Sequence, residues 1–255
     1  MNILSLFAGI GGLELGLERA GLGTTRWQVE IEPFNRKVLA SQWPDAERFA
    51  DVRDVSAEDF PGCDVICGGF PCQDISSAGK GEGIDGQRSG LWREFARLIG
   101  EVRPRIVVVE NVPDLAVRGL GRVLGDLCAL GYDAEWEIVS AQDAGAPHLR
   151  KRLFILATHT DGEGLEGRHS EELPERAGER ATRTRSSSLA RRAPLTWWHA
   201  EPEVGPVADG VPGRVAQLRS LGNAVVPQVA ELVGRRALRI LERGAVDDDP
   251  WDLRP

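Results

Sequence analysis

Cysteine is scarce in this 255-residue chain, which has only four, at positions 63, 67, 72 and 128. None of them falls in the paired Cys-x-x-Cys spacing that zinc sites of the ribbon and finger type use. The sequence therefore predicts no bound metal, and a reduced intracellular protein is the simplest interpretation.

A long apolar run is also missing. The chain opens with MNILSLFAGIGG, whose apolar stretch is too short to span a membrane and lacks the basic start and cleavage site of a signal peptide. We therefore expect a cytoplasmic protein without a membrane partner. Because 42% of its residues are hydrophobic, the chain has enough apolar material for one sizeable core.

The chain has no overall excess of positive charge, since its formal net charge is −8. Taken alone, this argues against a nucleic-acid partner, because phosphate binding needs a basic surface. The distribution weakens that objection, since residues 168–192 contain seven Arg against four Glu. A charge run is as often a solvated face as a binding surface, so charge leaves the question open.

Short apolar runs alternate with helical patterns along most of the chain. The predicted strands are 3–6, 26–29, 64–67, 106–109, 136–139 and 153–156, and the predicted helices are 12–20, 33–41, 91–101, 120–130 and 226–241. This alternation is typical of an α/β fold with a doubly wound, Rossmann-like sheet.

The pattern stops near residue 158. From there to about residue 213 the sequence is rich in Gly, Pro, Ser, Arg and Glu, with an apolar cluster around Trp197 and Trp198. We therefore predict a main domain over 1–157, a small irregular insert over 158–213, and a segment over 214–255 whose helix completes the main domain.

The sequence FAGIGG at residues 7–12 lies between the first predicted strand and the first helix. Glycine there lets the backbone approach a ligand and leaves helix N–H groups free to point at it. Glu30 or Glu32, at the end of the second strand, stands where such folds place an acid against ribose hydroxyls. Asp51, followed by Val52, could accept from an adenine amine. NAD, a flavin, S-adenosylmethionine or no ligand all fit a glycine turn, although the G-I-G-G spacing argues against dinucleotides.

The segment CGGFPCQ at residues 67–73 follows an apolar strand and predicts a rigid, exposed loop that carries Cys72. The other three cysteines fit small buried hydrophobes. A catalytic thiol needs a positive environment, which Arg150 and Arg152 could supply. Glu110 ends a β-branched strand and could be a general acid if its pKa is raised, or it could cap the next turn.

Together these segments closely resemble the DNA (cytosine-5)-methyltransferase family. Five motifs occur in the family's order: LFAGIGG at 6–12, GFPCQ at 69–73 with SSAG at 76–79, ENV at 110–112, GAPHLRKR at 145–152, and GNAVVP at 222–227. The match resembles the compact members seen in phage and prophage genomes.

The resemblance implies S-adenosylmethionine as the cofactor and double-stranded DNA as the partner of a monomeric enzyme. In the implied reaction, Cys72 adds to carbon 6 of a flipped cytosine, Glu110 holds or protonates N3, and carbon 5 takes the methyl group. Arg150 and Arg152 would steady the flipped nucleotide or the Cys72 loop. The implied cofactor-binding residues are Phe7, Gly9, Gly11, Glu30, Ile31, Asp51, Val52, Pro71, Leu91 and Asn223.

The sequence departs from the family pattern in three places. His148 replaces the usual Gln, Ala50 replaces a common Gly, and the insert over 158–213 is short for a target-recognition domain. We still expect the insert and its basic stretch to contact DNA, while the recognised DNA sequence and the biological role stay open.

Other functions compete with this interpretation. Methylation of cytosine in RNA fits the same motifs. A non-catalytic nucleic-acid-binding module is disfavoured, because it has no need of Cys72, Glu110 and Arg152. Methylation of an exocyclic amine is disfavoured because the D/N-P-P-Y/F loop is absent.

Overall fold

The computed structural model describes residues 1–71, 90–159 and 214–243. In these ranges seven strands form one sheet in the order β3-β2-β1-β4-β5-β7-β6. The strands are β1 Asn2–Leu6, β2 Thr24–Val29, β3 Glu47–Phe49, β4 Val65–Gly68, β5 Ile106–Asn111, β6 Tyr132–Val139 and β7 Arg152–His159. Strands β1 to β5 pair in parallel, and β7 runs antiparallel to both β5 and β6.

Helices cover both faces of the sheet, which confirms the doubly wound α/β prediction. They are α1 Gly12–Arg19, α2 Pro33–Gln42, α3 Leu91–Val102, α4 Leu115–Arg118, α5 Leu120–Ala129, α6 Arg214–Asn223 and α7 Pro227–Arg243. One apolar core joins the sheet to α3, α4 and α5, and the other joins it to α1 and α7. None of the helices in the described ranges is long and apolar enough to cross a membrane.

The predicted strands and long helices coincide with observed elements to within a few residues, whereas strand β3 and helices α4 and α6 were missed. Strand β3 has only three residues, of which two are charged, so it carries no apolar alternation. Helix α6 has weak amphipathic character, because its leucines alternate with Arg, Gln and Ser. Almost all of the predicted insert over 158–213 lies outside the described residues, and so does the tail after 243.

Helices α1 and α7 cross at very short range. A Cβ added to Gly16 would lie 2.3 Å from the Ala230 Cβ, and one added to Gly234 would lie 2.7 Å from the Ala20 Cβ. Small residues on both helices therefore allow the backbones to approach more closely than larger side chains would permit.

We expect Gly16→Ala to lower the free energy of unfolding by about 2 kcal/mol, because overpacking a filled contact costs roughly 1–3 kcal/mol. Gly125 is the matched control, since it is an exposed glycine of α5 with no atom within 4 Å of an added Cβ. Gly125→Ala should raise the free energy of unfolding by about 0.5–1 kcal/mol through helix propensity alone. Urea denaturation measures the free energy of unfolding of both variants. Equal stabilisation by the two substitutions would contradict the close approach of α1 and α7.

Candidate active site

The candidate site lies at one edge of the sheet, where several strand ends meet. Strands β1, β2, β4 and β5 are parallel, so their carboxyl ends share this edge. Strand β7 is antiparallel and pairs Leu153 with Asn111, so β7 begins where β5 ends. The glycine loop, Glu30, Gly69, Glu110 and Arg152 are therefore gathered at the edge where doubly wound folds bind ligands.

Glu30 connects the glycine loop to the end of β2. One carboxylate oxygen accepts from the Gly9 N–H at 2.7 Å, and the other accepts from the Glu32 N–H at 2.8 Å. Glu30 is only 8% exposed. Because each carboxylate oxygen has a second lone pair, Glu30 can still accept from hydroxyl groups of a ligand.

The loop itself needs residues that tolerate a left-handed backbone. Gly9 and Gly11 have φ values of 59° and 89°, and Phe7 shares this region with φ of 55°. A Cβ added to Gly9 would meet no atom within 4 Å, so the space in front of this residue is open. A loop with open space over its backbone suits a ligand that approaches closely.

Apolar surface lies beside this polar anchor. Ile31 directly follows Glu30 and is 65% exposed, which is unusual for a large aliphatic side chain at the end of a buried strand. The ring centroids of Phe7 and Phe95 are 6.3 Å apart. Leu91 is half-buried and Val52 is buried. These side chains can flank a planar base whose ribose lies on Glu30, so they fit S-adenosylmethionine.

Asp51 is held by a neighbour that the sequence did not single out. Its carboxylate accepts from the Arg53 backbone N–H at 3.0 Å and from the Arg53 side chain at 2.9 Å and 2.5 Å. The hydrogen bonds from Arg53 lower the pKa of Asp51 to about 2. Asp51 is thus ionised, and it can accept from an adenine amine only if it shares its oxygens with Arg53.

The segment before α7 reaches the glycine loop. The Val225 carbonyl oxygen lies 2.2 Å from where a Gly12 Cβ would be, so only glycine fits at the start of α1. Arg150 donates to the Gly222 and Ala224 carbonyls at 2.7 Å and 2.5 Å. Asn223 lies between these two residues and is exposed, close to the edge that carries the loop.

Glu110 is the buried acid of the site. It is 9% exposed, and its Oε1 accepts from the Arg152 Nε at 2.9 Å. Burial raises the pKa of Glu110 to about 7, against the opposing effects of Arg152 and Arg150. The carboxyl group can therefore exist in both protonation states near neutral pH, as a general acid requires.

Two contacts of Phe70 hold the chain that leads to Cys72. Asn111 donates to the Phe70 carbonyl at 3.2 Å, and the Phe70 ring lies 5.2 Å from the Trp92 ring. Half-buried Pro71 is the last described residue before the gap. Cys72 and residues 73–89 lie outside the described residues, so the predicted position of the thiol stays a prediction.

Gly69 leaves the space that the Glu110 carboxyl occupies. A Cβ on Gly69 would lie 2.5 Å from the Glu110 Oε2, so any larger residue displaces either the acid or the strand end. The double glycine in the sequence is the only signal of this contact. The sequence analysis took it as part of a rigid, exposed loop and missed its steric role.

We expect Gly69→Ala to reduce the turnover number about 100-fold, because small displacements of reacting groups cost this much. Gly121→Ala is the control, since an added Cβ on Gly121 in α5 meets nothing within 4 Å. Steady-state kinetics measures both variants. A Gly69→Ala enzyme within about threefold of wild type would show that the contact does not position Glu110.

A cleft of about 590 Å³ lies beside Arg150 and the segment before α7. It is lined by His148, Arg150, Leu221 and residues 224–228. His148, which departs from the family pattern, therefore faces the same cleft as Arg150. Among the described residues, no cluster of three or more His, Cys, Asp or Glu side chains could hold a metal ion.

Residues 1–192 match the family model of the C-5 cytosine-specific DNA methylases. The chain belongs to this family. The resemblance that the five motifs predicted is thereby confirmed.

Several curated relatives of these methylases are similar to the chain. The type II methyltransferase M.NgoBI of Neisseria gonorrhoeae is 30% identical across 96% of this chain and 82% of its own length. M2.BsuMI of Bacillus subtilis is 38% identical, across 62% of this chain and 42% of its own length. The chain thus spans about half or less of the length of M2.BsuMI and of M.NgoFVII from N. gonorrhoeae.

Solved structures of methylases agree with the fold. A prophage-encoded DNA modification methyltransferase of E. coli is 31% identical with a TM-score of 0.53, over 62% of this chain and 47% of that chain. The Entamoeba histolytica methyltransferase EhMeth is 21% identical with a TM-score of 0.56, over 63% and 53% of the two chains. The second likeness supports the sheet architecture alone.

Proposed function

We propose that the chain transfers a methyl group from S-adenosylmethionine to carbon 5 of cytosine in double-stranded DNA. The single observation that carries this proposal is the buried, Arg152-paired Glu110 in contact with Gly69, three residues before Cys72. Glu110 can protonate a pyrimidine ring near neutral pH, and this protonation helps the Cys72 thiolate to add to that ring. Membership of the cytosine methylase family supports the same reaction.

The glycine loop and the end of β2 hold the cofactor. Glu30 accepts from the ribose hydroxyls, Ile31 and Val52 flank the adenine, and Asp51 accepts from its amine. Phe7, Gly9, Gly11, Pro71, Leu91 and Asn223 complete the pocket. When bound, S-adenosylmethionine supplies an electrophilic methyl group next to the pyrimidine.

Cys72 and Glu110 activate the pyrimidine. The Cys72 thiolate forms a bond to carbon 6, the C5–C6 π electrons shift to form a C4–C5 double bond, and the C4–N3 π electrons take the proton of Glu110 at N3. Carbon 5 of this enamine is nucleophilic and takes the methyl group, and the electrons of the broken sulfur–methyl bond would leave with S-adenosylhomocysteine. Loss of the C5 proton to solvent restores the double bond and expels the thiolate, and N3 returns its proton to Glu110.

The target base leaves the duplex to reach this edge of the sheet, because carbon 6 is not accessible within a base stack. Arg152 fixes the Glu110 carboxyl, and Arg150 anchors the segment before α7 through two carbonyls. The insert over 158–213, almost all of which lies outside the described residues, supplies the DNA contacts in this proposal. The monomeric state and cytoplasmic location stay predictions.

The test is methylation by the wild-type chain with labelled S-adenosylmethionine and a base-resolution readout. We expect 5-methylcytosine in a defined context of unmethylated duplex DNA, and none in a tRNA transcript. Label in the transcript alone would favour RNA cytosine methylation. Label in neither substrate, with the cofactor bound, would overturn the proposal.

A further inference from the structure

A row of buried polar side chains lies behind the glycine loop. The sheet register places Ser5 of β1 directly beside Gln28 of β2 and beside Cys67 of β4. Residues paired across strands point to the same face of a sheet, and this face carries the core shared with α1. Glu14 of α1 is fully buried on the same side.

The polar atoms of this row lack partners. Among the described residues, no partner lies at hydrogen-bond distance from the Ser5 hydroxyl, either carboxyl oxygen of Glu14, or the amide group of Gln28, although Ser5 is close enough to Glu14 and to Cys67 to lower the pKa of both groups. Buried polar groups in proteins are almost always hydrogen-bonded, to protein or to ordered water. Three such side chains in one place therefore indicate a site that a small polar molecule completes.

The donor and acceptor chemistry selects water over a cation. Burial, with smaller contributions from the Glu18 and Glu30 carboxylates, raises the pKa of Glu14 to about 7, against the opposing effects of its own backbone and of Ser5. A neutral acid, a hydroxyl and an amide can each donate and accept, as the hydrogen-bonding of water requires. A cation would need ionised oxygen ligands, which a neutral Glu14 does not supply.

We propose that Ser5, Glu14 and Gln28 enclose an internal water site, and that this site positions the glycine loop for the cofactor. Ser5 lies two residues before Phe7, and Glu14 lies two residues after Gly12. The site therefore connects the strand that enters the loop with the helix that leaves it. The positioning role rests on the proposed function, whereas the water site does not.

Ionisation of Glu14 would disturb the loop. The charged or titratable groups around it are Glu18 on α1, Glu30 at the end of β2 and the Cys67 thiol on β4. On the α7 side, Glu231 near Gly16 is already paired with Arg235. A second buried anion beside Glu30 repels the carboxylate that holds the Gly9 N–H, so cofactor affinity should fall as the pH rises through 7.

The experiment measures the dissociation constant of S-adenosylhomocysteine by calorimetry from pH 5.5 to 8.5, on the full chain. We expect wild type to lose about tenfold in affinity across this range, and Glu14→Gln to keep nearly constant affinity, because glutamine mimics the neutral acid. Glu101→Gln is the control, since it removes an exposed acid of α3 that is paired with Arg97 but leaves Glu14 intact, and it should keep the wild-type slope. Parallel pH profiles for wild type and Glu14→Gln would overturn the positioning role.

Thermal unfolding without ligand tests the neutral acid separately from the proposed function. The folded chain binds the Glu14 proton more tightly than the unfolded chain, so stability is lost as the pH rises from about 4.5 to about 7. The melting temperature of Glu14→Gln should therefore fall less than that of wild type from pH 5 to 8. Equal declines would overturn a neutral Glu14, even if S-adenosylhomocysteine failed to bind at any pH.

Direct observation tests the water itself. A crystal structure of the full chain at high resolution should show a water oxygen within hydrogen-bond distance of Ser5, Glu14 and Gln28. Direct bonds among the three side chains, with no water between them, would overturn the site.

Discussion

Cys72→Ala should reduce methyl transfer to background while leaving S-adenosylhomocysteine binding unchanged. In the proposed reaction none of the three described cysteines replaces this thiol. Cys67 is fully buried on β4, Cys63 is half-buried before β4, and Cys128 is exposed on α5, which corrects the expectation that Cys128 is a buried hydrophobe. The measurement is transfer of labelled methyl groups to duplex DNA, together with a covalent trap on DNA that contains 5-fluorocytosine.

The trap separates nucleophilic catalysis from a structural role for Cys72. Fluorine at carbon 5 cannot leave as a proton would, so the thiol remains bonded to carbon 6 and the adduct survives denaturing electrophoresis. Wild type and Cys128→Ala should both give the adduct, and Cys72→Ala should give none. An adduct with Cys72→Ala would assign the nucleophile to another residue.

Glu110→Gln should lower the turnover number by about 10²- to 10⁴-fold, the usual contribution of a general acid. Glutamine keeps the size of the side chain and can still contact Arg152, but it cannot deliver a proton to N3. Cofactor affinity at pH 6 should change little, because Glu30 and the glycine loop are intact. A thermal melt confirms that the variant is folded, since the substitution leaves Arg152 without its anionic partner.

The pH profile of the rate gives a second, independent signature of Glu110. Burial raises its pKa to about 7, so the protonated acid is lost as the pH rises through this value. The wild-type turnover number should therefore decline on the alkaline side, although a thiolate alone would favour higher pH. Glu110→Gln should lack this decline, and an unchanged alkaline limb would assign it to another group.

The sequence predicted the parts of the site that depend on local pattern. Glu110 follows a run of β-branched residues, and Gly69 follows a short apolar strand, so both were expected at strand ends. Adjacent parallel strands then bring them into contact, as the pairing of Gly68 with Val109 shows. Arg152 was expected near the thiol. Its ion pair with Glu110 was not expected, because it depends on the antiparallel direction of β7, which the periodicity of the sequence does not indicate.

Side-chain contacts that leave no periodic pattern in the sequence could not be predicted in this way. The capture of Asp51 by Arg53 depends on the turn after β3, a strand too short to leave a pattern. The burial of Glu14 was equally hidden, because an acid in the first turn of a helix is usually a solvated residue that favours the helix dipole. Only the tertiary structure shows that α7 covers this helix.

The close crossing of α1 and α7 also orders events during synthesis. Gly16 is synthesised long before Ala230 and Gly234. Before α7 is made, the core that it shares with α1 stays open, together with the base of the glycine loop. In the proposed function, a nascent chain therefore cannot complete its cofactor pocket before residue 227 is added, so we expect a fragment that stops before this residue not to bind the cofactor.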